Sequence, residues 1–141
     1  VDLGRWMQAQ MGAVSGVLSP SLLMRIHAPL TMTGRPRGFG IEDRAISGVT
    51  YGMGWREYAY AGHKLVGHRG AVRGYRSLMV FDPVKRTGVA ILWNSQSPKP
   101  AGLQLEVLDM LYGLPTRDWL KLDLPGTETR TLVSATPEQP E

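Results

Sequence analysis

Two runs near the middle of the chain carry apolar residues on both faces that a strand would present. In Tyr75-Arg76-Ser77-Leu78-Met79-Val80-Phe81-Asp82 the four residues from Leu78 to Phe81 are all apolar, and Gly88-Val89-Ala90-Ile91-Leu92-Trp93 has no polar side chain except the indole N–H. A strand with one wet face alternates; these two do not, so the sheet they build needs cover on both sides. Between them Pro83-Val84-Lys85-Arg86-Thr87 is a short polar turn opened by proline, which predicts an antiparallel hairpin.

Just upstream stands Gly67-His68-Arg69-Gly70-Ala71-Val72-Arg73-Gly74, three glycines within eight residues, interleaved with a histidine and two arginines. Glycine has no Cβ, so such a stretch marks backbone that turns sharply or admits a close approach. The remaining elements follow from punctuation and period. Asp2 is placed to cap a helix carrying Leu3, Trp6, Met7 and Met11 and ending toward Gly12. Ser19-Pro20 starts a second helix, with serine as cap and proline in the first turn; Leu22, Leu23 and Ile26 form its apolar stripe and Pro29 stops it. From Thr31 to Gly48 the composition predicts a surface loop, with Arg35, Arg37 and Arg44 on a solvated face.

Strands are predicted at 51–58, 63–68, 75–82 and 88–93, the first with Tyr51, Met53 and Trp55 on one face and two glycines on the other, where another backbone lies close. Ala61-Gly62 reads as a tight turn between the first two. After Pro98 and Pro100 a helix carries Leu103, Val107, Met110, Leu111 and Leu114 toward the sheet and ends near Gly113 and Pro115. The pattern is α+β: an antiparallel sheet of about four strands flanked by helices, over residues 1–120, with 121–141 a polar, mobile tail.

Composition narrows the function classes. The 141 residues suffice for one domain or part of one. No run approaches the ~20 apolar residues of a membrane-spanning helix. There is no cysteine, which excludes disulfides and thiolate chemistry. Sixteen basic against twelve acidic residues give a net charge of +4, but without a basic block or interleaved aromatics the pattern speaks against nucleic-acid binding. The three histidines are His27, His63 and His68. The last two lie five apart on an extended run and point to opposite faces, which predicts no metal site.

There is no Gly-x-Ser-x-Gly, and no serine is followed three residues later by lysine, so no nucleophile announces itself. His68-Arg69-Gly70 is the place for chemistry: a histidine at the end of a strand works as a proton shuttle near neutral pH, and the amide of Ala71 as an oxyanion donor. The other reading leaves the glycines shaping a hairpin and His68 a satisfied edge residue.

Tyr51-Gly-Met-Gly-Trp55, then Gly67 to Ser77, then Phe81 to Asn94, then Pro98-Lys-Pro100 and a helix, together resemble the C-terminal part of the serine β-lactamase-like hydrolases. That family takes in class C β-lactamases, related penicillin-binding proteins and D-aminopeptidases, and esterases of the same fold. The resemblance covers residues 1–120. It implies a β-lactamase/transpeptidase-like fold of which this chain is the C-terminal portion, with the N-terminal portion as its partner.

The family's Lys-Thr-Gly, or His-x-Gly in many esterase-like members, corresponds to His68-Arg69-Gly70. By resemblance His68 faces the catalytic serine, Ala71 supplies an oxyanion amide, and Gln96 and Lys99 fall near the substrate's carboxylate. Arg69 and Arg73 add charge for an anionic small-molecule or peptide substrate. Histidine for lysine and arginine for threonine remove groups that β-lactamases use. The family's Ser-x-x-Lys and Tyr-x-Asn are absent; Tyr75-Arg76-Ser77 opens a core strand instead.

The expected parent is a serine hydrolase acting through an acyl-enzyme on an ester, a D-amino-acid peptide or a β-lactam, with the nucleophile outside this chain and no cofactor. Family habit implies a periplasmic or secreted location. The alternatives are a non-catalytic binding module on the same fold and a basic polyanion binder.

Overall fold

The computed structural model describes residues 1–33 and 45–122. The arginines expected in the surface loop and the polar tail from 123 onward lie outside them. Helices α1 (Asp2–Gln10) and α2 (Pro20–His27) precede strands β1 (Thr31–Met32), β2 (Ile46–Tyr51), β3 (Arg56–Tyr60), β4 (His63–Val72), β5 (Tyr75–Asp82) and β6 (Thr87–Trp93). A 3₁₀ turn at Lys99–Gly102 runs into α3 (Leu103–Tyr112). The strands form one sheet in the order β1 to β6, every neighbour antiparallel.

The demand for cover on both faces is met. On one face Tyr58, Tyr60, Leu65 and Val80 pack against Leu105 and Leu108 of α3. On the other, Val66 and Phe81 pack against Met7 of α1, with Trp55, Met79 and Ala90 around them. Each fully buried side chain such as Phe81 or Leu105 contributes about 1.5–3 kcal/mol by leaving water. Ser19 caps α2 as expected, its Oγ accepting from the Leu22 amide at 3.2 Å. Asp2 is the first residue of α1 rather than its cap, where its charge still complements the helix N-terminus.

Six strands form where about four were expected. Residues 51–58 are two strand ends joined by a turn: β2 stops at Tyr51, β3 starts at Arg56, and Gly54 between them has φ of 84°. The glycine argument holds at Gly52, where the backbone of Ala28 lies so close that a Cβ would strike its carbonyl oxygen. Strand β2 was hidden by Gly48 and by a register irregularity between Ser47 and Thr50, which interrupts period-two alternation.

Helix α3 ends at Gly113 in the left-handed conformation, with the Leu114 amide donating to the Asp109 carbonyl at 2.8 Å. Its inward face differs from expectation. Gln104, Leu105, Leu108 and Asp109 are buried, while Met110 and Leu111 are exposed. Two polar residues are tolerated inside because partners await them: the Tyr58 hydroxyl donates to Gln104 Oε1 at 3.5 Å, while the Tyr60 hydroxyl and, at 2.8 Å, Trp119 Nε1 donate to the Asp109 carboxylate.

Candidate active site

Strand β4 outruns β3. Their ladder closes at Arg56 opposite Gly67, whereas the β4–β5 ladder continues from Val66 to Val72. From His68 to Val72 the edge of β4 that faces away from β5 therefore has no strand partner among the described residues. Alternate residues in such an overhang direct backbone N–H and C=O outward, and an unpaired row of this kind is a template for another extended chain. The expected strand 63–68 is thus too short: His68 lies in the interior of a ten-residue strand.

Glycines are compatible with this because neighbours occupy the space their Cβ atoms would take. At Gly67 a Cβ would meet the Met79 carbonyl oxygen at 2.6 Å and the Tyr58 hydroxyl at 3.2 Å; at Gly70 it would meet Ser77 Oγ at 2.6 Å. Gly74, at φ 80°, makes the two-residue turn Arg73-Gly74 into β5.

The β4–β5 register sets Val66, His68 and Gly70 beside Phe81, Met79 and Ser77 on the face covered by α1. There His68 opens into a cavity of about 380 Å³ whose wall includes Leu3 and Trp6 of α1, Trp55 of the β2–β3 turn, Gly70, Ser77 and Leu92. A second cavity, of about 430 Å³, follows the strand to its tip past Ala71, Arg76, Trp93 and Asn94 and shares Gly70, Ser77 and Leu92 with the first. The two form a cleft along the bare stretch of β4.

The His68 side chain reaches solvent, yet enough of it is desolvated for burial to push the imidazole below its ordinary value, with the Arg56 charge adding to the shift. The ring of Tyr51 lies 6.2 Å away between centroids, and the Arg56 guanidinium sits 5.2 Å over that ring.

The other histidines serve packing. His27 Nε2 bonds Gln10 Oε1 at 2.8 Å and its ring meets Trp55 and Phe81. His63 Nδ1 pairs with Asp82 at 3.1 Å and stacks flat on Tyr112. Among the described residues no group of three His, Asp or Glu side chains is placed to hold a metal. No helix among them is long and apolar enough to cross a membrane.

Of the residues singled out in the sequence, His68, Arg69 and Gly70 border the first cavity, and Gly70 and Ala71 the second. Arg73 is exposed in the β4–β5 turn and lines neither. Gln96 and Lys99 are exposed in the segment after β6, which bonds within itself: Trp93 Nε1 to the Ser97 carbonyl at 2.9 Å, and the Lys99 amide to Ser97 Oγ at 3.3 Å. Sequence reading passed over Ser77, Trp55 and Trp6 as site residues. Only Ser77 carried a signal, a small polar residue opening an otherwise apolar strand.

The sequence profile described as Beta-lactamase matches residues 1–113. Among solved structures, the octameric penicillin-binding protein homologue from Pyrococcus abyssi is similar, with a TM-score of 0.68 and 26% identity over 80% of this chain and 24% of that one. This chain therefore spans about a quarter of the homologue's length. No curated protein matches significantly.

Proposed function

The chain belongs to the beta-lactamase family, and on that footing we propose that it forms one wall of the active site of a serine hydrolase working through an acyl-enzyme. The observation that carries this reading is that β4 continues from His68 to Val72 beyond the end of β3 and borders a cleft lined by the His68 imidazole. An extended acyl substrate lies along that edge, exchanging backbone hydrogen bonds with it.

The nucleophile is a serine outside this chain. Its Oγ attacks the substrate carbonyl carbon, and the amide of Ala71 stabilises the negative charge that develops on the carbonyl oxygen. His68 stands where it takes or returns a proton at the reacting oxygen. The leaving alcohol or amine departs with a proton, and water then attacks the acyl-serine and regenerates the hydroxyl.

Esters, D-amino-acid peptides and β-lactams are the substrate classes in falling order, because His68 and Arg69 stand in place of the lysine and threonine that serve β-lactam recognition in the family. Arg69 borders the cavity and offers positive charge to an anionic substrate group; Arg73, Gln96 and Lys99 would meet only a ligand extending beyond it. The decisive experiment replaces His68 by alanine in the full-length enzyme and follows ester hydrolysis. Unchanged kinetics would return His68 to a purely structural role.

A further inference from the structure

Resting on that reading of His68, we propose that Arg56, braced on the ring of Tyr51, is a positioning residue that holds the His68 imidazole in its neutral, proton-accepting form. The placement follows from where β3 begins. Arg56 is its first residue and stands opposite Gly67, so the next rung of the ladder, beside His68, has no β3 residue. Tyr51 and Arg56 are themselves paired across β2 and β3. In place of a strand, His68 is approached by the Tyr51 ring at 6.2 Å, inclined 50°, with the Arg56 guanidinium 5.2 Å above that ring.

A guanidinium seated on an aromatic face is held in position rather than swinging through solvent. Its charge is also left uncompensated: the ion pairs among the described residues are Lys64–Glu57 and His63–Asp82, and neither includes Arg56. Among the described residues, the lining of the cavity beside His68 adds no anion. The cavity wall from α1, the β2–β3 turn, β5 and β6 is apolar or uncharged, and β4 contributes Arg69 to it beside His68. Burial of the ring disfavours its protonation, and the Arg56 charge acts in the same direction. The free-base imidazole, which a lowered value favours, is the form that accepts a proton from a hydroxyl nucleophile.

The test is an NMR titration of the three histidine rings in the 141-residue chain. Replacing Arg56 by methionine, which keeps the stem and removes the charge, should raise the His68 midpoint by roughly half a pH unit, as expected for one cation lost from a partly hydrated site. His63, at the far end of β4, should stay where it was. Tyr51→Ala should give a smaller rise, and 1 M salt should raise the midpoint in the parent chain but little in Arg56→Met. An unmoved His68 midpoint in a variant whose His63 signals are unchanged would overturn the proposal, as would a parent midpoint above the ordinary 6.5. If Arg56→Met does not fold, Arg56→Gln reads out the same charge.

In the full-length enzyme Arg56→Met should shift the acid limb of kcat/KM upward by the same amount. A limb that stays fixed while the NMR midpoint moves would sink the role given to His68 in the reaction and leave the placement of Arg56 standing.

Discussion

Ser77 Oγ occupies the space that a side chain on residue 70 would need: a Cβ on Gly70 would lie 2.6 Å from it. The hydroxyl can escape by rotating about χ1, so Gly70→Ala should cost little, under about 1 kcal/mol, while re-aiming Ser77 in the cleft. Gly67→Ala meets the Met79 carbonyl oxygen at the same 2.6 Å, and that backbone atom is fixed in the β4–β5 ladder. It should cost about 1–3 kcal/mol or more. Urea unfolding of the two variants checks this; equal midpoints would mean the sheet yields more easily than its register implies.

Asp82 is 1% exposed and accepts hydrogen bonds from the Val84 and Lys85 amides, at 2.8 and 2.9 Å, and from Tyr112 and His63 at 3.0 and 3.1 Å. Burial alone would raise its carboxyl, but these donors together outweigh burial and hold it below the usual range. Such a group stabilises the fold at every pH above its unfolded value of about 3.9 and loses that contribution as pH falls through the lower folded value. Thermal unfolding between pH 6 and pH 2 should therefore show a steeper fall for the parent chain than for Asp82→Asn. The variant should be less stable at pH 6 by about 1–3 kcal/mol. Parallel curves would contradict this.

The β3–β4 turn places both central residues at positive φ, Ala61 at 48° and Gly62 at 80°, between paired Tyr60 and His63. A two-residue hairpin of this geometry favours asparagine at its first position, where alanine bears a steric penalty. Ala61→Asn should raise stability by roughly 0.5–1 kcal/mol, seen as a higher Tm with unchanged spectra. A lower Tm would show that the turn relaxes out of this conformation in solution.

This chain by itself should not hydrolyse p-nitrophenyl acetate or nitrocefin above the solvent background, because no serine in it is followed three residues on by lysine. A mass increase from acylation at any of its serines would relocate the nucleophile. In the full-length enzyme His68→Ala should lower kcat/KM for an ester by about 10²–10⁴, the usual scale for loss of a positioned acid or base.

Much of the architecture was legible in the residues. The unbroken apolar runs of β5 and β6 demanded two covered faces, and Ser19-Pro20 and Gly113 marked helix boundaries where the structure has them. The reading of α3 failed because its inner face carries Gln104 and Asp109, which period alone assigns to solvent. Their partners Tyr58, Tyr60 and Trp119 are near them only in space.

The sequence by itself determined the class of fold and the order of its hairpins, and it singled out the stretch from Gly67 to Gly74, because local periodicity and glycine or proline punctuation act over a few residues. Tertiary structure alone decided that β4 runs past the end of β3, that Ser77 and Trp6 share a cavity with His68, and that Arg56 rests on Tyr51 beside the imidazole. Those relationships depend on strand register and on helix docking. They are set by the summed packing of residues far apart in the chain, which no short window of sequence contains.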